Sequence, residues 1–295
     1  MLKPLFIVAM CLFSSLIFSK EIHQERSLYR NIIVEDKNDV LCLQFNTKST
    51  QLNQSCIYKS APNKLFFNYV KMVFSSLLYI DKPNNVLIIG LGGGTLSNVI
   101  HQLYPNASIN NVEIDPAVVK VARKYFHFIE TNKVISTIQD GRIFIKRAAL
   151  KQKKYDWIIL DAFNGDYIPE HLLTKEFFEE VKSILSPGGI IAANTFSSSK
   201  LYDHESATYY AVFGDFINVS RHNRSNRIIL AGLDKMPTET EISKKATWLE
   251  PRLSTYNIDI QDIRKIIYST QGNHDWPTDT KVLTDQYSPA NLLNN

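Results

Sequence analysis

Four glycines, Gly90, Gly92, Gly93 and Gly94, crowd one short stretch, and a carboxylate, Glu113, follows about 20 residues later. Glycines at a strand–helix turn remove the side chains that would hold a ligand away, and they permit positive φ. The N–H groups opening the next helix then face that ligand. A carboxylate closing the following strand can accept from both hydroxyls of a ribose. The third glycine of the dinucleotide fingerprint is missing, because Thr95 and Leu96 follow Gly94. The loop therefore suits a mononucleoside better than a pyrophosphate. Asp140, followed by Gly141, adds an acid one strand further on. It can accept from an adenine amino group, and it can also cap the helix that begins there.

These groups need elements to hold them. From residue 86 onward the pattern alternates between short apolar strands and helices. Strands are expected over Val86–Ile89, Ser108–Glu113, Val134–Gln139, Trp157–Leu160 and Ile190–Thr195. Helices are expected over Leu96–Leu103, Pro116–Phe126, Arg142–Ala149, Thr174–Leu185 and Glu205–Asp215, with Pro116 in a first turn and Thr174 as a cap. Apolar strands alternating with helices mean a mostly parallel sheet covered on both faces, an α/β Rossmann-like fold. An antiparallel pair, Phe216–Ser220 with Arg227–Ala231, ends it. Before it, residues 21–80 carry strand signals at Ser27–Val34, Val40–Phe45 and Ser55–Tyr58, then helical spacing over Leu65–Leu78. The chain thus divides into 1–20, an N-terminal β-rich region and helix at 21–80, the Rossmann-like domain at 81–232, and a helical then irregular extension at 233–295. In sheets of this kind ligands bind beyond the carboxyl ends of the strands.

Four segments together resemble the spermidine synthases (polyamine aminopropyltransferases) and their close relatives. They are Val86 to Gly94, Val112-Glu113-Ile114-Asp115-Pro116, Gln139-Asp140-Gly141-Arg142, and Tyr155 to Asp161. The likeness runs from about Ser27 to about residue 232, and Leu283 to Pro289 resembles the tail of the same group. It implies a small N-terminal β-domain before a sheet of the class I methyltransferase type. It also implies decarboxylated S-adenosylmethionine as aminopropyl donor, a small-molecule amine as acceptor, and no metal. By position, Gly90, Gly92, Gly94 and Gly141 would line the donor, Glu113 would bind its ribose and Asp140 its adenine. Asp161 would be the general base. A carboxylate there can hold the acceptor ammonium, orient it and take its proton. Tyr69, Asp166 and Tyr167 are the candidates to bind the amine, with Glu170 in the same loop.

The chain also departs from the family. Spermidine synthases keep an aspartate inside the glycine loop, where this chain has Gly93. Their second aspartate after the fourth strand is Asn164 here. The usual His-Glu pair ahead of the first Rossmann strand is replaced by Asn68-Tyr69-Val70. Each change removes a polar contact from the amine side, which Tyr29, Tyr69, Tyr167 and His171 would have to supply. Three readings follow: an aminopropyltransferase, a methyltransferase using S-adenosylmethionine itself, and an exported non-catalytic protein that binds a nucleoside or polyamine.

The remaining features concern location and partners. Pro4 to Phe18 is an apolar run of about 15 residues after Lys3, which suits a signal peptide or an N-terminal membrane anchor. The protein is then exported, and without a genuine leader it is cytoplasmic. Cys42 and Cys56 lie in neighbouring strand-like runs and are either a disulfide or two buried thiols. The net charge of +4 comes with no basic stripe, so nucleic acid is not an expected partner. The family resemblance adds a homodimer as an expectation.

Overall fold

The computed structural model describes residues 19–46, 51–163, 167–196, 201–221, 226–232, 234, 237–272 and 274–289. The apolar run Pro4–Phe18 and the loop acid Asp166 lie outside the described residues. Five antiparallel strands come first: β1 (Ser19–Arg26), β2 (Asn31–Lys37), β3 (Val40–Asn46), β4 (Gln51–Tyr58) and β5 (Ala61–Leu65). They lie side by side in chain order. Asn38, at φ 55°, makes the tight turn between β2 and β3. Cys42 and Cys56 face each other across β3 and β4, and their sulfurs are bonded.

The stretch expected as one helix over Leu65–Leu78 is three pieces. Leu65 ends β5, α1 covers Asn68–Val73, and a tight 3-10 segment runs from Phe74 to Leu78. The hydroxyls of Ser75 and Ser76 donate to the carbonyls of Met72 and Val73. Such local bonds compete with the regular helical ladder, and apolar spacing does not reveal them.

The second sheet alternates with its helices: β6 (Asn85–Ile89), α2 (Thr95–Leu103), β7 (Ser108–Glu113), α3 (Pro116–Tyr125), β8 (Val134–Ile138), α4 (Gly141–Leu150) and β9 (Tyr155–Leu160). There follow α5 (Lys175–Ser183), β10 (Leu185–Phe196), α6 (Leu201–Phe213), β11 (Ile217–Ser220), β12 (Asn226–Ala231), α7 (Glu239–Leu253), α8 (Ile260–Arg264) and β13 (Ile267–Ser269). The strand order is β13-β11-β12-β10-β9-β6-β7-β8. Strands β8, β7, β6, β9 and β10 are parallel, and β12, β11 and β13 extend the sheet antiparallel. The chain leaves β6 toward β7 and returns on its other side as β9, so a switch point opens between β6 and β9. β13 was not expected from the sequence; it adds an edge strand drawn from the C-terminal extension.

Alternation along each strand builds the core on both faces. Val86 and Ile88 pack with α1, α2, α7 and α8, while Leu87 and Ile89 pack with α4, α5 and α6. Helix α3 has two apolar sides. Val119 and Ala122 join the first core, and Val118 and Val121 meet Ile32, Val34, Leu43 and Ile57 of the N-terminal sheet. That shared helix fixes the small sheet against the large one. The tail is tied down as well. Arg142 forms paired hydrogen bonds to Glu180 on α5 and to Asp285 of the tail, at 2.6–2.9 Å. These bonds hold the Asp285 carboxyl down at about 2.

Candidate active site

A cavity of about 450 Å³ opens beyond the carboxyl ends of β6, β7 and β9, a size ordinary for a small-molecule site. The glycine loop forms its floor. Gly90 has φ 95°, and a Cβ there would lie 2.3 Å from the carbonyl oxygen of Asp161. Only glycine lets β6 end this close to β9. The main chain confirms the contact, because Asp161 N donates to Ile89 O at 2.8 Å. Gly90, Gly92 and Gly141 line the cavity. Gly94 does not; it turns back as the left-handed N-cap of α2 against Phe128.

Glu113 ends β7, is 7% exposed and lines the cavity. Its Oε2 accepts from Leu91 N at 3.1 Å and its Oε1 from Asp115 N at 3.0 Å. Two backbone donors therefore fix the carboxylate and leave lone pairs for a ligand. Burial still pushes its pKa up against those bonds. Asp140 follows β8. Its Oδ1 accepts from Ile143 N at 2.9 Å and so caps α4. Its Oδ2 lies 2.9 Å from His171 Nε2. That bond, ahead of the cap, holds the Asp140 carboxyl below its usual range. His171 thus stands at the Asp140 end of the cavity, where the sequence reading had placed it with the amine-binding groups.

Asp161 follows β9 at the switch point. Burial pushes its carboxyl up to about 7, against a hydrogen bond from Asn194. At neutral pH it is poised between its two forms. Around it the wall is mostly aromatic and amide. Phe67 and Tyr69, the latter from α1, stack with centroids 5.8 Å apart. Phe163 and Phe196 meet edge to face at 5.3 Å. Burial and the neighbouring Asp161 charge raise the Tyr69 hydroxyl well above its ordinary value. Tyr69 is therefore a neutral donor beside an acid. Tyr167 lies in a neighbouring groove with Arg142, Glu170 and Asp285, outside this cavity. Among the described residues no three His, Cys, Asp or Glu side chains gather as metal ligands would.

The N-terminal sheet closes the other side. Arg30, between β1 and β2, donates from Nη1 to Phe163 O at 3.3 Å and lies over the Phe45 ring at 4.3 Å. Ser55 of β4 presses on the glycine loop. A Cβ on Gly93 would come 2.6 Å from Ser55 Oγ and 3.0 Å from the Phe126 ring. Packing between the two sheets thus fills the space that a side chain at position 93 would need.

Sequence reasoning missed Arg30, Phe67, Asn194, Phe196 and Asn226, which all line the cavity. For Asn194 a signal was present. It interrupts the buried apolar run Ile190–Ala193 at a strand's carboxyl end, as Asp161 does after β9. The others come from loops and strands remote in sequence, and no spacing joins them.

Comparison with known proteins agrees with this geometry. Residues 66–231 match the Spermine/spermidine synthase domain family. A polyamine aminopropyltransferase of Vibrio vulnificus is 44% identical over 92% of this chain and 91% of its own length. One from Chromobacterium violaceum is 31% identical over 70% of this chain and 81% of its own length. A probable spermidine synthase from Corynebacterium glutamicum shares the fold, with a TM-score of 0.66 at 23% identity, over 88% of this chain and 98% of that one. With a cavity built on the glycine loop, Glu113, Asp140 and Asp161, this chain belongs to the spermine/spermidine synthase family.

Proposed function

We propose that the protein transfers an aminopropyl group from decarboxylated S-adenosylmethionine to a di- or polyamine. The observation that carries this is the position of Asp161. It sits where a nucleoside half of the cavity, with acceptors at Glu113 and Asp140, meets an aromatic and amide half lined by Tyr69 and Asn194. Glu113 would take the ribose hydroxyls. Asp140 would take the adenine amino group, sharing its Oδ2 with His171. Asp161 would hold the acceptor ammonium, with the aromatic faces of Phe67, Tyr69 and Phe163 around the cation.

The chemistry then needs one proton acceptor. The acceptor nitrogen gives a proton to the Asp161 carboxylate and attacks the carbon beside the sulfonium. A C–N bond forms, the C–S bond breaks, and methylthioadenosine leaves with the electron pair on sulfur. The donor brings its own leaving group, so positioning and proton transfer are what the protein must supply. Incubation with decarboxylated S-adenosylmethionine and putrescine should release methylthioadenosine. Failure of any tested amine to do so would sink the proposal.

A second reading, methyl transfer from S-adenosylmethionine, is favoured by one observation. Arg30 brings a guanidinium to the cavity wall, its Nε 3.8 Å from Asp115 Oδ2, and its remaining N–H donors suit a ligand carboxylate that the decarboxylated donor lacks. Calorimetry separates the readings: S-adenosylhomocysteine binding more tightly than methylthioadenosine favours methyl transfer. Binding of neither would leave only a non-catalytic protein.

We also propose export. The apolar run Pro4–Phe18 has the character of a leader, and a Cys42–Cys56 disulfide persists in oxidising compartments. A reporter fused after residue 25 should be active outside the cytoplasm; a cytoplasmic signal would refute this.

A further inference from the structure

Asn194 ends the apolar part of β10 and is only 5% exposed. A buried side-chain amide must place two donors and a carbonyl oxygen. Its Nδ2 donates to Asp161 Oδ1 at 2.9 Å. Its Oδ1 accepts from Asn226 Nδ2 at 3.1 Å. Asn226 begins β12, which flanks β10 on the side away from β9. The three side chains therefore form a line across three adjacent strands, all at the cavity wall.

The direction of this line is set by chemistry. An ionised carboxylate only accepts, so Asn194 must turn its NH₂ toward Asp161. Its oxygen then faces Asn226, which must answer with a donor. Rotating the Asn194 amide by half a turn would set its oxygen against the Asp161 carboxylate. It would also set NH₂ against NH₂ at Asn226. With Asn226 Nδ2 turned toward β10, both contacts of the rotated form are repulsive, so Asn226 in that orientation favours the one that Asn194 shows to the acid.

We propose that Asn194 and Asn226 form a positioning relay for Asp161, in which Asn226 acts through Asn194 to keep the carboxylate aimed and ionised. A donor to the charged form favours that form, and a donor that is free to rotate does so less. The relay's effect on turnover rests on the reading of Asp161 as base; its effect on the Asp161 carboxyl does not.

The test titrates the Asp161 carboxyl by ¹³C NMR, its signal identified by its loss in Asp161→Asn. Asn194→Leu should raise the titration midpoint by about one pH unit, and Asn226→Leu by about half a unit. Asn226→Ser keeps a small donor and should fall nearer the wild type. Methylthioadenosine affinity should stay within about twofold in both Asn226 variants, which shows that they are folded. An unchanged midpoint in Asn226→Leu, or equal midpoints in the Ser and Leu variants, would overturn the relay. The acid limb of the turnover profile should move with the midpoint. A moved midpoint with an unmoved limb upholds the relay and refutes Asp161 as base.

Discussion

The two halves of the cavity are built on different principles. In the nucleoside half, Glu113 is gripped by two backbone N–H groups and Asp140 is tied to a helix N-terminus and to His171. Those acids come from consecutive strand ends of one sheet. In the amine half a single amide supports Asp161, and burial leaves its carboxyl near neutrality. Its walls are gathered from the N-terminal sheet, α1, β10 and β12. The difference teaches a division of labour. The acids proposed only to bind are each held by two fixed partners. Asp161, the proposed base, has one side-chain hydrogen bond against its burial, at a cost in stability.

The sharpest way to break that division is Asp161→Asn. Turnover should fall about 100- to 10,000-fold, the usual worth of a positioned general base. Methylthioadenosine affinity, measured by calorimetry, should change less than about twofold. Retained turnover would end the contrast. Glu113→Gln should do the reverse. Affinity for methylthioadenosine should drop about 10- to 100-fold, because hydrogen bonds to a charged acceptor are lost. Turnover at saturating donor should largely survive.

The cost in stability is testable too. Asp161 titrates near 3.8 in an ordinary environment and near 7 in the folded protein. Between those values the native state holds a proton that the unfolded chain has released. Stability therefore falls as pH rises through that window, and the cost is complete above about 7. Asp161→Asn should then be more stable than wild type at pH 8, by about 1–3 kcal/mol in denaturant titrations. The two should coincide near pH 4. Turnover of the wild type should rise through about pH 7, since the base acts when ionised. The smallest effect is expected at His171. Its hydrogen bond with Asp140 is half-exposed, and His171→Ala frees Asp140 Oδ2 for the adenine. Methylthioadenosine affinity should rise about threefold, the worth of such a pair. A loss of affinity would mean that His171 itself touches the base.

The same division explains what the sequence made legible. The glycine loop, Glu113, Asp140 and Asp161 each end or follow a strand of the parallel sheet, and the strands before the loop and Asp161 are strongly apolar. Local patterning finds the strand, and the residue after it inherits a place at the sheet's carboxyl edge. Parallel order made those edges coincide, so the site's floor could be read before any contact was known. The amine wall could not be. Arg30 reaches the cavity because α3 docks the small sheet on the large one, and Phe67 because α1 packs on the large sheet's own core. Asn226 reaches it through an antiparallel return, where register and not spacing decides the neighbour. β13 stayed hidden because Ile267–Ser269 is three residues long and pairs with a strand about 50 positions earlier. The tail acid Asp285 belonged to a recognised motif, but its ion pair with Arg142 required the fold.

The contact between Ser55 and Gly93 has an evolutionary consequence. Ser55 lies in β4 and Gly93 in the loop between β6 and α2, yet each limits what the other can become. An acid introduced at position 93 would meet the Ser55 hydroxyl and the Phe126 ring. The Ser55 hydroxyl would have to rotate away or be lost, and the Phe126 ring would have to give by a few tenths of an ångström. A residue outside the glycine loop therefore bears on whether a charge can be gained within it.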